Sequence, residues 1–359
     1  MGIRTELIRM ALNRRGFLGL TSGLMAGMLI RQHWISSRSE AASAVNVSAI
    51  KRGGQRIALI SDLNSSYGST DYVNQVHRGV KLLKNLRPDL VLCAGDMIAG
   101  QKRSLNRSEI DAMWEAFNRN VLDPLRVEQS SFAPCMGNHD ASSMRQGGKF
   151  IFKLDRERAE SFWRKQKNSL GLNFIEADDF PFNYSIKEAD NFYLFIDASS
   201  ADISQADWSW MQKQLSSSTA KSADLRLIVG HLPPYPVSKR KDRPGEVLRH
   251  PEKLIELMER HNVAFYISGH HHAWFPSRVG KTNLISLGAM GSGPRQRLND
   301  SNPASQTLTL LDIFKRPKKT IETTIDLNTL KVINPKTLPT TLTSEGLPKS
   351  NLRSTQLTY

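Results

Sequence analysis

The ten residues SFAPCMGNHD (131–140) join an apolar run to three polar side chains, Asn138, His139 and Asp140. An apolar run of this length followed by glycine predicts a buried strand that ends just before the polar residues. Asn and Asp are also common turn residues, because they tolerate left-handed backbone and bond to neighbouring backbone groups. The segment alone therefore leaves two alternatives, an ordinary turn or a functional site at the end of a strand.

The segments before this strand alternate between strand and helix patterns. Short β-rich runs occupy 56–61 and 89–95, and amphipathic stretches occupy 73–86 and 108–122. Together with the strand at 131–136 these segments give the order βαβαβ, which indicates a parallel sheet.

The second half of the chain has a mixed pattern. A hairpin is predicted over 182–199, helices over 205–215 and 246–261, and strands over 225–230, 263–269, 274–279, 282–288, 306–314 and 320–327. The last four strands follow one another without a helical pattern between them. We therefore expect an α/β fold with two packed mixed sheets flanked by helices, and not one doubly wound sheet.

Five of the predicted strands end in side chains that are able to bind a metal ion. These side chains are Asp62 and Asn64, then Asp96, then Asn138 and His139, then His231, and finally His270, His271 and His272. In open α/β sheets ligands bind at the carboxyl ends of the strands, so these groups converge. A cap or turn role is reasonable for each group alone, but it does not account for the same pattern at five strand ends.

The types of side chain narrow the chemistry further. Carboxylate and amide oxygens with imidazole nitrogens, and no thiolate, suit divalent Mn, Fe, Zn or Co. The set is larger than one tetrahedral ion needs, which favours two ions. A pair of ions activates water and stabilises both the attacking and the leaving oxygen in phosphoryl transfer.

An ordered set of motifs resembles the signature of the calcineurin-like metallophosphoesterases. The set consists of Asp62-x-Asn64, Gly95-Asp96, Gly137-Asn138-His139-Asp140, Gly230-His231 and Gly269-His270-x-His272. The resemblance covers residues 56–290 and implies a four-layer αββα sandwich with a dinuclear metal centre at the strand ends. It also implies the following ligands: Asp96 bridging both ions, Asp62 and His272 on one ion, and Asn138, His231 and His270 on the other.

Three further polar residues, His139, Asp140 and His271, have separate expected roles. His139 is expected to protonate or stabilise the leaving oxygen, because imidazole titrates near neutral pH. Asp140 is expected to orient the His139 ring. His271 is expected to face away from the site, since neighbouring side chains alternate in extended backbone.

One position departs from the family pattern. The first motif of the family usually reads Asp-x-His, whereas this chain has Asn64. An amide oxygen is a weaker ligand than imidazole for Zn or Fe, so we expect a loosely held ion or a harder one such as Mn, with reduced or altered activity. The purple acid phosphatase branch also lacks that histidine but has a tyrosine where this chain has Ala99. Tyr67 is a nearby substitute candidate, with an ordinary loop tyrosine as the alternative.

The chain is strongly basic, with a formal net charge of +15 at pH 7. Residues 1–44 contribute +4, six arginines less two glutamates, which leaves +11 for the rest of the chain. Such an excess attracts anionic substrates or an anionic surface. A basic cluster after His231 either holds a phosphate group or is a solvated loop; it contains Lys239, Arg240, Lys241 and Arg243. Binding of nucleic acid is not favoured, because stacking aromatics do not accompany these charges.

The N-terminus has the pattern of an export signal. The twin arginines Arg14 and Arg15 precede an apolar stretch (17–30) that is shorter than the roughly 20 residues needed to span a bilayer. The sequence EAASA (40–44) fits a cleavage site, so residues 1–44 are predicted to be a signal peptide. The pattern resembles the twin-arginine signal, which implies recognition by the twin-arginine export machinery and a periplasmic or otherwise exported location. A plain N-terminal helix or an uncleaved anchor is the alternative.

The other end of the chain is predicted to be a disordered tail. Residues 335–359 are rich in Thr, Pro, Ser and Lys and contain few large apolar side chains. The predicted metallophosphoesterase domain therefore covers residues 45–334.

These observations predict an exported metal-dependent phosphoric ester hydrolase that acts on a small phosphorylated substrate, a phosphomonoester or a nucleotide. A phosphodiesterase of the same fold is the first alternative. The second is a non-catalytic protein that binds metal or phosphate, in which Asn64 marks a degraded centre.

Overall fold

The structure is a computed structural model that describes residues 49–359 except Ser292. The predicted signal peptide (1–44) lies outside these residues. Across the described part of the chain, every helix is too short or too polar to cross a membrane.

Eighteen strands and eight α-helices make up the described structure. The strands are β1 (Gln55–Ile60), β2 (Leu90–Cys93), β3 (Ser131–Pro134), β4 (Arg145–Gln146), β5 (Lys149–Phe150), β6 (Phe174–Asp179), β7 (Asn183–Glu188), β8 (Asn191–Phe195), β9 (Leu225–Val229), β10 (Phe265–Ser268), β11 (Phe275–Val279), β12 (Thr282–Ser286), β13 (Thr307–Lys315), β14 (Lys318–Asp326), β15 (Lys331–Val332), β16 (Thr341–Leu342), β17 (Ser350–Leu352) and β18 (Gln356–Thr358). The helices are α1 (Asn74–Leu86), α2 (Arg107–Phe117), α3 (Asp123–Val127), α4 (Asn138–Ala141), α5 (Lys153–Gln166), α6 (Gln205–Leu215), α7 (Ser218–Lys221) and α8 (Pro251–Arg260). A π-helical turn (Asn118–Leu122) connects α2 to α3, and short 3-10 turns occupy Lys167–Ser169 and Pro335–Thr337.

Two large sheets contain nearly all of the strands. The first has the order β15-β14-β13-β1-β2-β3, with β18 also paired to β14, and the second has the order β16-β17-β11-β12-β10-β9-β8-β7-β6. Strands β1, β2 and β3 are parallel, as are β8, β9, β10 and β12, whereas β13 runs antiparallel to β1. Both sheets are therefore mixed, as the sequence predicts.

The two sheets pack face to face between layers of helices. Tyr184 on the second sheet donates a hydrogen bond to the carbonyl oxygen of Pro134 on the first, at 2.6 Å. On the outer side of the first sheet, Phe117 of α2 packs against Phe132, with ring centroids 6.0 Å apart. On the outer side of the second sheet, α6 and α8 share one buried apolar cluster with β8 and β10. The four-layer αββα arrangement is therefore confirmed.

Two helices differ from the sequence prediction for local reasons. Helix α8 begins at Pro251 and not at residue 246, because proline suits the first helical turn and the residue before it disfavours helix. Helix α5 was not predicted at all. It buries only Asp155, Ala159 and Trp163 among 14 residues, so its sequence lacks a clear apolar face.

The C-terminal residues are not disordered, and the prediction for 335–359 is corrected here. Strand β17 pairs with β11, and β18 pairs with β14, so the tail extends the edges of both sheets. Leu338 and Leu342 are buried in one cluster with Trp274. The tail has too few apolar residues for a core of its own, but it completes a core that the preceding strands provide.

Candidate metal centre

Four residues that follow three of the central strands, β1, β2 and β10, lie in the left-handed backbone region. Asp62, Asp96, His270 and His272 have φ angles of 53°, 56°, 63° and 51°. These values are uncommon for residues other than glycine, and they persist only where the surroundings hold the chain in place. Four of the positions that the sequence identifies as metal ligands are therefore held in strained backbone.

Glycines allow the loops of the site to approach one another. A Cβ atom on Gly137 would overlap the carboxylate of Asp96, and one on Gly95 would overlap the ring of His231. Gly95 also has a φ of 98°, which favours glycine. The glycines of the Gly-Asp and Gly-Asn-His motifs are thus required by close contact with ligand side chains.

Asp62 and His272 form one half of the site. Oδ1 of Asp62 lies 3.2 Å from Nε2 of His272, and both side chains are largely buried. Nδ1 of His272 donates to the carbonyl oxygen of Gly293 at 3.0 Å, which leaves Nε2 free to bind an ion. The backbone N–H of His270 donates to Oδ2 of Asp62 at 3.0 Å and fixes that carboxylate.

The second half of the site is centred on His231. Its Nε2 atom lies 3.3 Å from Oδ2 of Asp96 and 3.0 Å from Oδ1 of Asn138. Nδ1 of His231 donates to the carbonyl oxygen of Ala94 at 2.7 Å, so Nε2 is the nitrogen left to bind an ion. Ligand atoms of Asp96, His231 and His270 all lie within 4.8 Å of one another.

The electrostatics of the cluster favour a positive charge between its carboxylates. Burial raises the pKa of Asp62, but His272 outweighs this effect and keeps the pKa below its usual value. Burial likewise opposes ionisation of Asp96, yet His231 holds the pKa of that carboxyl far below its usual range. Burial disfavours a charged His231 ring, but Asp96 raises the pKa of His231 to about 9. A proton on Nε2 of His231 therefore lies where a cation would bind.

The residues present fit divalent metal ions. Oδ1 of Asn64 is buried and has no hydrogen-bond partner within residues 49–291 and 293–359. A buried acceptor of this kind costs about 1–3 kcal/mol unless another group satisfies it, and a bound cation would do so. Burial also lowers the pKa of His270 to about 4, so that ring is neutral at pH 7, as ligation requires. Side-chain contacts link six of the predicted ligands, and Asn64 joins them through its backbone N–H, which donates to the carbonyl oxygen of Asp96; the six are Asp62, Asp96, Asn138, His231, His270 and His272.

His139 lies beside these ligands with one ring nitrogen facing them. Its Nε2 atom is 4.0 Å from Oδ2 of Asp96, and its side chain is 20% exposed. Nδ1 donates to the carbonyl oxygen of Gly100 at 3.2 Å, which sets the orientation of the ring. Nε2 is therefore the atom that can reach a bound substrate.

Asp140 does not orient the His139 ring, and the sequence-based prediction of that role is wrong. Oδ1 of Asp140 accepts from the backbone N–H groups of Met97 and Ile98 at 2.8 and 3.0 Å. Oδ2 accepts from the N–H of Gly137 at 2.9 Å. Burial and the nearby Asp96 charge raise the pKa of Asp140 to about 7. Asp140 therefore joins two ligand loops and makes no contact with the reacting groups.

Two other residues considered from the sequence have defined positions. His271 faces away from the ligands, as expected, although its neighbours are in left-handed and not extended backbone. Tyr67 is 56% exposed, and its ring centroid lies 5.0 Å from that of His139. Tyr67 therefore stands beside the group expected to face the leaving oxygen.

Sequence reasoning missed the residues that hold the ligands in place. Oε1 of Gln101 accepts from Nδ2 of Asn138 at 2.6 Å, which turns the Asn138 oxygen toward His231. Oε2 of Glu246 accepts from Nε2 of His270 at 2.8 Å. Glu246 also pairs with Lys241, so part of the basic cluster is neutralised inside the protein. A glutamate in a loop carries no sequence signal for such a contact.

Comparisons with known proteins show the family and the fold. Residues 55–274 match the family described as calcineurin-like phosphoesterase. The fold is similar to that of the purple acid phosphatase PPD1 from yellow lupin (Lupinus luteus), with a TM-score of 0.59 and 15% identity over 78% of this chain and 52% of the lupin chain. It is also similar to a dimetal phosphatase from Danio rerio, with a TM-score of 0.53 and 14% identity over 76% of this chain and 96% of that chain.

The structural matches and the family match cover different shares of the proteins compared. The chain spans about half of the length of the lupin phosphatase, and a comparison with curated protein sequences gave no match. The family match covers more than half of the chain and includes the glycine-containing motifs from Asp62 to His272. The chain belongs to the calcineurin-like phosphoesterase family.

Proposed function

We propose that the protein is a metal-dependent phosphoric ester hydrolase with a centre for two divalent ions. The observation that carries this proposal is the cluster of Asp96, His231 and His270, with His139 beside Asp96. Family membership supports hydrolysis of a phosphoester and the use of divalent metal ions.

The ligands divide into two sets around a shared carboxylate. Asp96 lies between them, with Asp62, Asn64 and His272 for one ion and Asn138, His231 and His270 for the other. When bound, the ions activate water and stabilise the charge that develops on the phosphate. The amide oxygen of Asn64 favours a hard ion such as Mn over Zn at the first position.

The side chain of His139 supplies the proton that the leaving oxygen needs. The carbonyl oxygen of Gly100 holds the Nδ1–H, so a second proton on Nε2 faces the centre. Transfer of the Nε2 proton to the departing alkoxide contributes about 10²–10⁴-fold to the rate in comparable cases of general acid catalysis.

A small phosphorylated compound, a phosphomonoester or a nucleotide, fits this site better than a polymer. Single-stranded nucleic acids are held by a series of stacking aromatic side chains in a basic groove. In the described part of the chain, the exposed ring beside His139 is that of Tyr67. The net positive charge supports attraction of an anionic substrate.

We also infer that the protein is exported through the twin-arginine machinery to the periplasm or beyond. The support is the pattern of Arg14 and Arg15 before a short apolar stretch and a small-residue cleavage site. An anionic surface in that compartment is a second partner for the basic chain. Cell fractionation tests this inference. Replacing both arginines by lysine is expected to keep the protein in the cytoplasm. Unchanged export of that variant would contradict the inference.

Hydrolysis of p-nitrophenyl phosphate and of its bis-ester tests the proposed activity. We expect faster turnover of the monoester by protein loaded with Mn, Fe, Zn or Co, and a loss of activity in His139→Ala without a loss of bound metal. Preference for the bis-ester would favour the phosphodiesterase alternative. Failure to turn over either ester with any of these ions would favour the non-catalytic binding protein.

A further inference from the structure

The three imidazoles proposed as ligands differ in how their outer nitrogens are held. His231 and His272 donate to the backbone carbonyl oxygens of Ala94 and Gly293. His270 instead donates from Nε2 to a carboxylate, Oε2 of Glu246, at 2.8 Å. With Nε2 used in this way, Nδ1 is the nitrogen of His270 that is left to bind an ion. One ligand of the centre is therefore supported by a side chain from a distant loop.

The same loop is anchored by the neighbouring histidine. Nδ1 of His271 accepts from the backbone N–H groups of Val237 and Ser238, at 3.0 and 3.3 Å. Nε2 of His271 donates to the carbonyl oxygen of Glu246 at 3.0 Å. A single buried ring thus holds both ends of residues 237–246, and we call this segment the strap.

Two cations fix the carboxylate of Glu246 within the strap. Nζ of Lys241 lies 2.7 Å from Oε2, and Nη2 of Arg243 lies 2.9 Å from Oε1. The Glu246 side chain is only 16% exposed, so these contacts are partly shielded from water. Both oxygens are therefore held before any ion binds, and Oε2 is aimed at His270.

We propose that Glu246 is a positioning residue for the ion bound by His270 and that the strap held by His271 sets the affinity of that ion. A carboxylate on the outer nitrogen of a ligating histidine fixes the ring orientation and raises its basicity. Loss of such a partner costs about 10–100-fold in metal affinity. This inference rests on the two-ion centre proposed above, and it assigns a structural role to His271, the middle histidine of Gly-His-His-His.

Calorimetric titration of metal-free protein with Mn²⁺ tests the inference without reference to activity. We expect two binding events in wild type, and in Glu246→Ala one event weakened about 10–100-fold while the other is unchanged. Glu246→Gln keeps an acceptor for His270, so its metal affinity is expected to lie between those of wild type and Glu246→Ala. Glu256→Gln, on the exposed face of α8, is the matched control and is expected to titrate like wild type.

Two results would overturn the role of Glu246. One is a titration of Glu246→Ala identical to wild type, and the other is equal weakening of both events with a lower unfolding temperature of the metal-free protein. Fewer than two ions in wild type would contradict the dinuclear centre by itself. In that case, unchanged affinity of the remaining ion in Glu246→Ala would still count against Glu246.

Discussion

Oδ1 of Asp140 lies 2.8 Å from the backbone nitrogen of Met97, so the carboxylate after His139 is bonded to the loop that carries Asp96. The same carboxylate accepts from Ile98 and from Gly137. Since Asp96 and Asn138 lie on the two loops joined in this way, Asp140 fixes the separation of two proposed ligands.

The first prediction concerns this connection. Asp140→Ala leaves three buried N–H groups without acceptors, and each costs about 1–3 kcal/mol. We therefore expect the free energy of unfolding of the metal-free protein to fall by at least about 3 kcal/mol, measured by urea denaturation at pH 7. Stability equal to wild type, together with slow turnover and normal metal content, would restore the role of orienting His139.

Replacing Asn64 is expected to maintain or raise the stability of the metal-free protein and to weaken metal binding. Asn64→Leu removes a buried oxygen that has no partner in the described residues, so the metal-free protein should be at least as stable as wild type. The same change should weaken one bound ion by at least tenfold, about 1.4 kcal/mol. Calorimetric titration with Mn²⁺ and urea denaturation measure the two effects, and unchanged affinity for both ions would exclude Asn64 as a ligand.

Tyr67 is expected to contact the leaving group of an aromatic ester. Its exposed ring lies beside His139, and an aromatic pair contributes about 0.5–1.5 kcal/mol. Tyr67→Ala should therefore raise KM for p-nitrophenyl phosphate about two- to tenfold and leave KM for glycerol phosphate unchanged. Tyr67→Phe is the control and should behave like wild type. Equal effects on both substrates would assign Tyr67 to the integrity of the loop.

The C-terminal strands are expected to contribute to stability through a buried ion pair. Nη2 of Arg353 lies 2.7 Å from Oε2 of Glu322, and both side chains are at most 3% exposed. Arg353→Met leaves Glu322 buried without its partner, which costs about 3–5 kcal/mol. Urea denaturation measures this loss, with exposed Lys349→Met as the control. A loss below about 1 kcal/mol would show that the tail is dispensable.

The fold and the ligand cluster could be predicted from the sequence because both follow from the order of the strands. Parallel strands bring their carboxyl ends together, so polar residues after β1, β2, β3, β9 and β10 had to converge. The structure of the C-terminal tail could not be predicted in this way. Its strands are stabilised by the edges of β11 and β14, and its own composition gives no sign of those partners.

The groups that hold the ligands in place could also not be predicted from the sequence. Ala94, Gly100 and Gly293 act through backbone carbonyl oxygens, which every residue type provides. The role of Asp140 was misjudged for a related reason, because its partners are backbone N–H groups brought close by the turn. Glu246 reaches His270 from a strap that His271 anchors, and the sequence does not show this contact.

Elemental analysis of purified protein after reconstitution tests the central claim most directly. The account predicts two divalent ions per chain in wild type and a loss of both in Asp96→Ala, since Asp96 lies between the two ligand sets. His139→Ala should retain both ions. Fewer than two ions per chain in wild type after exposure to Mn, Fe, Zn and Co, or an unchanged content in Asp96→Ala, would contradict the account.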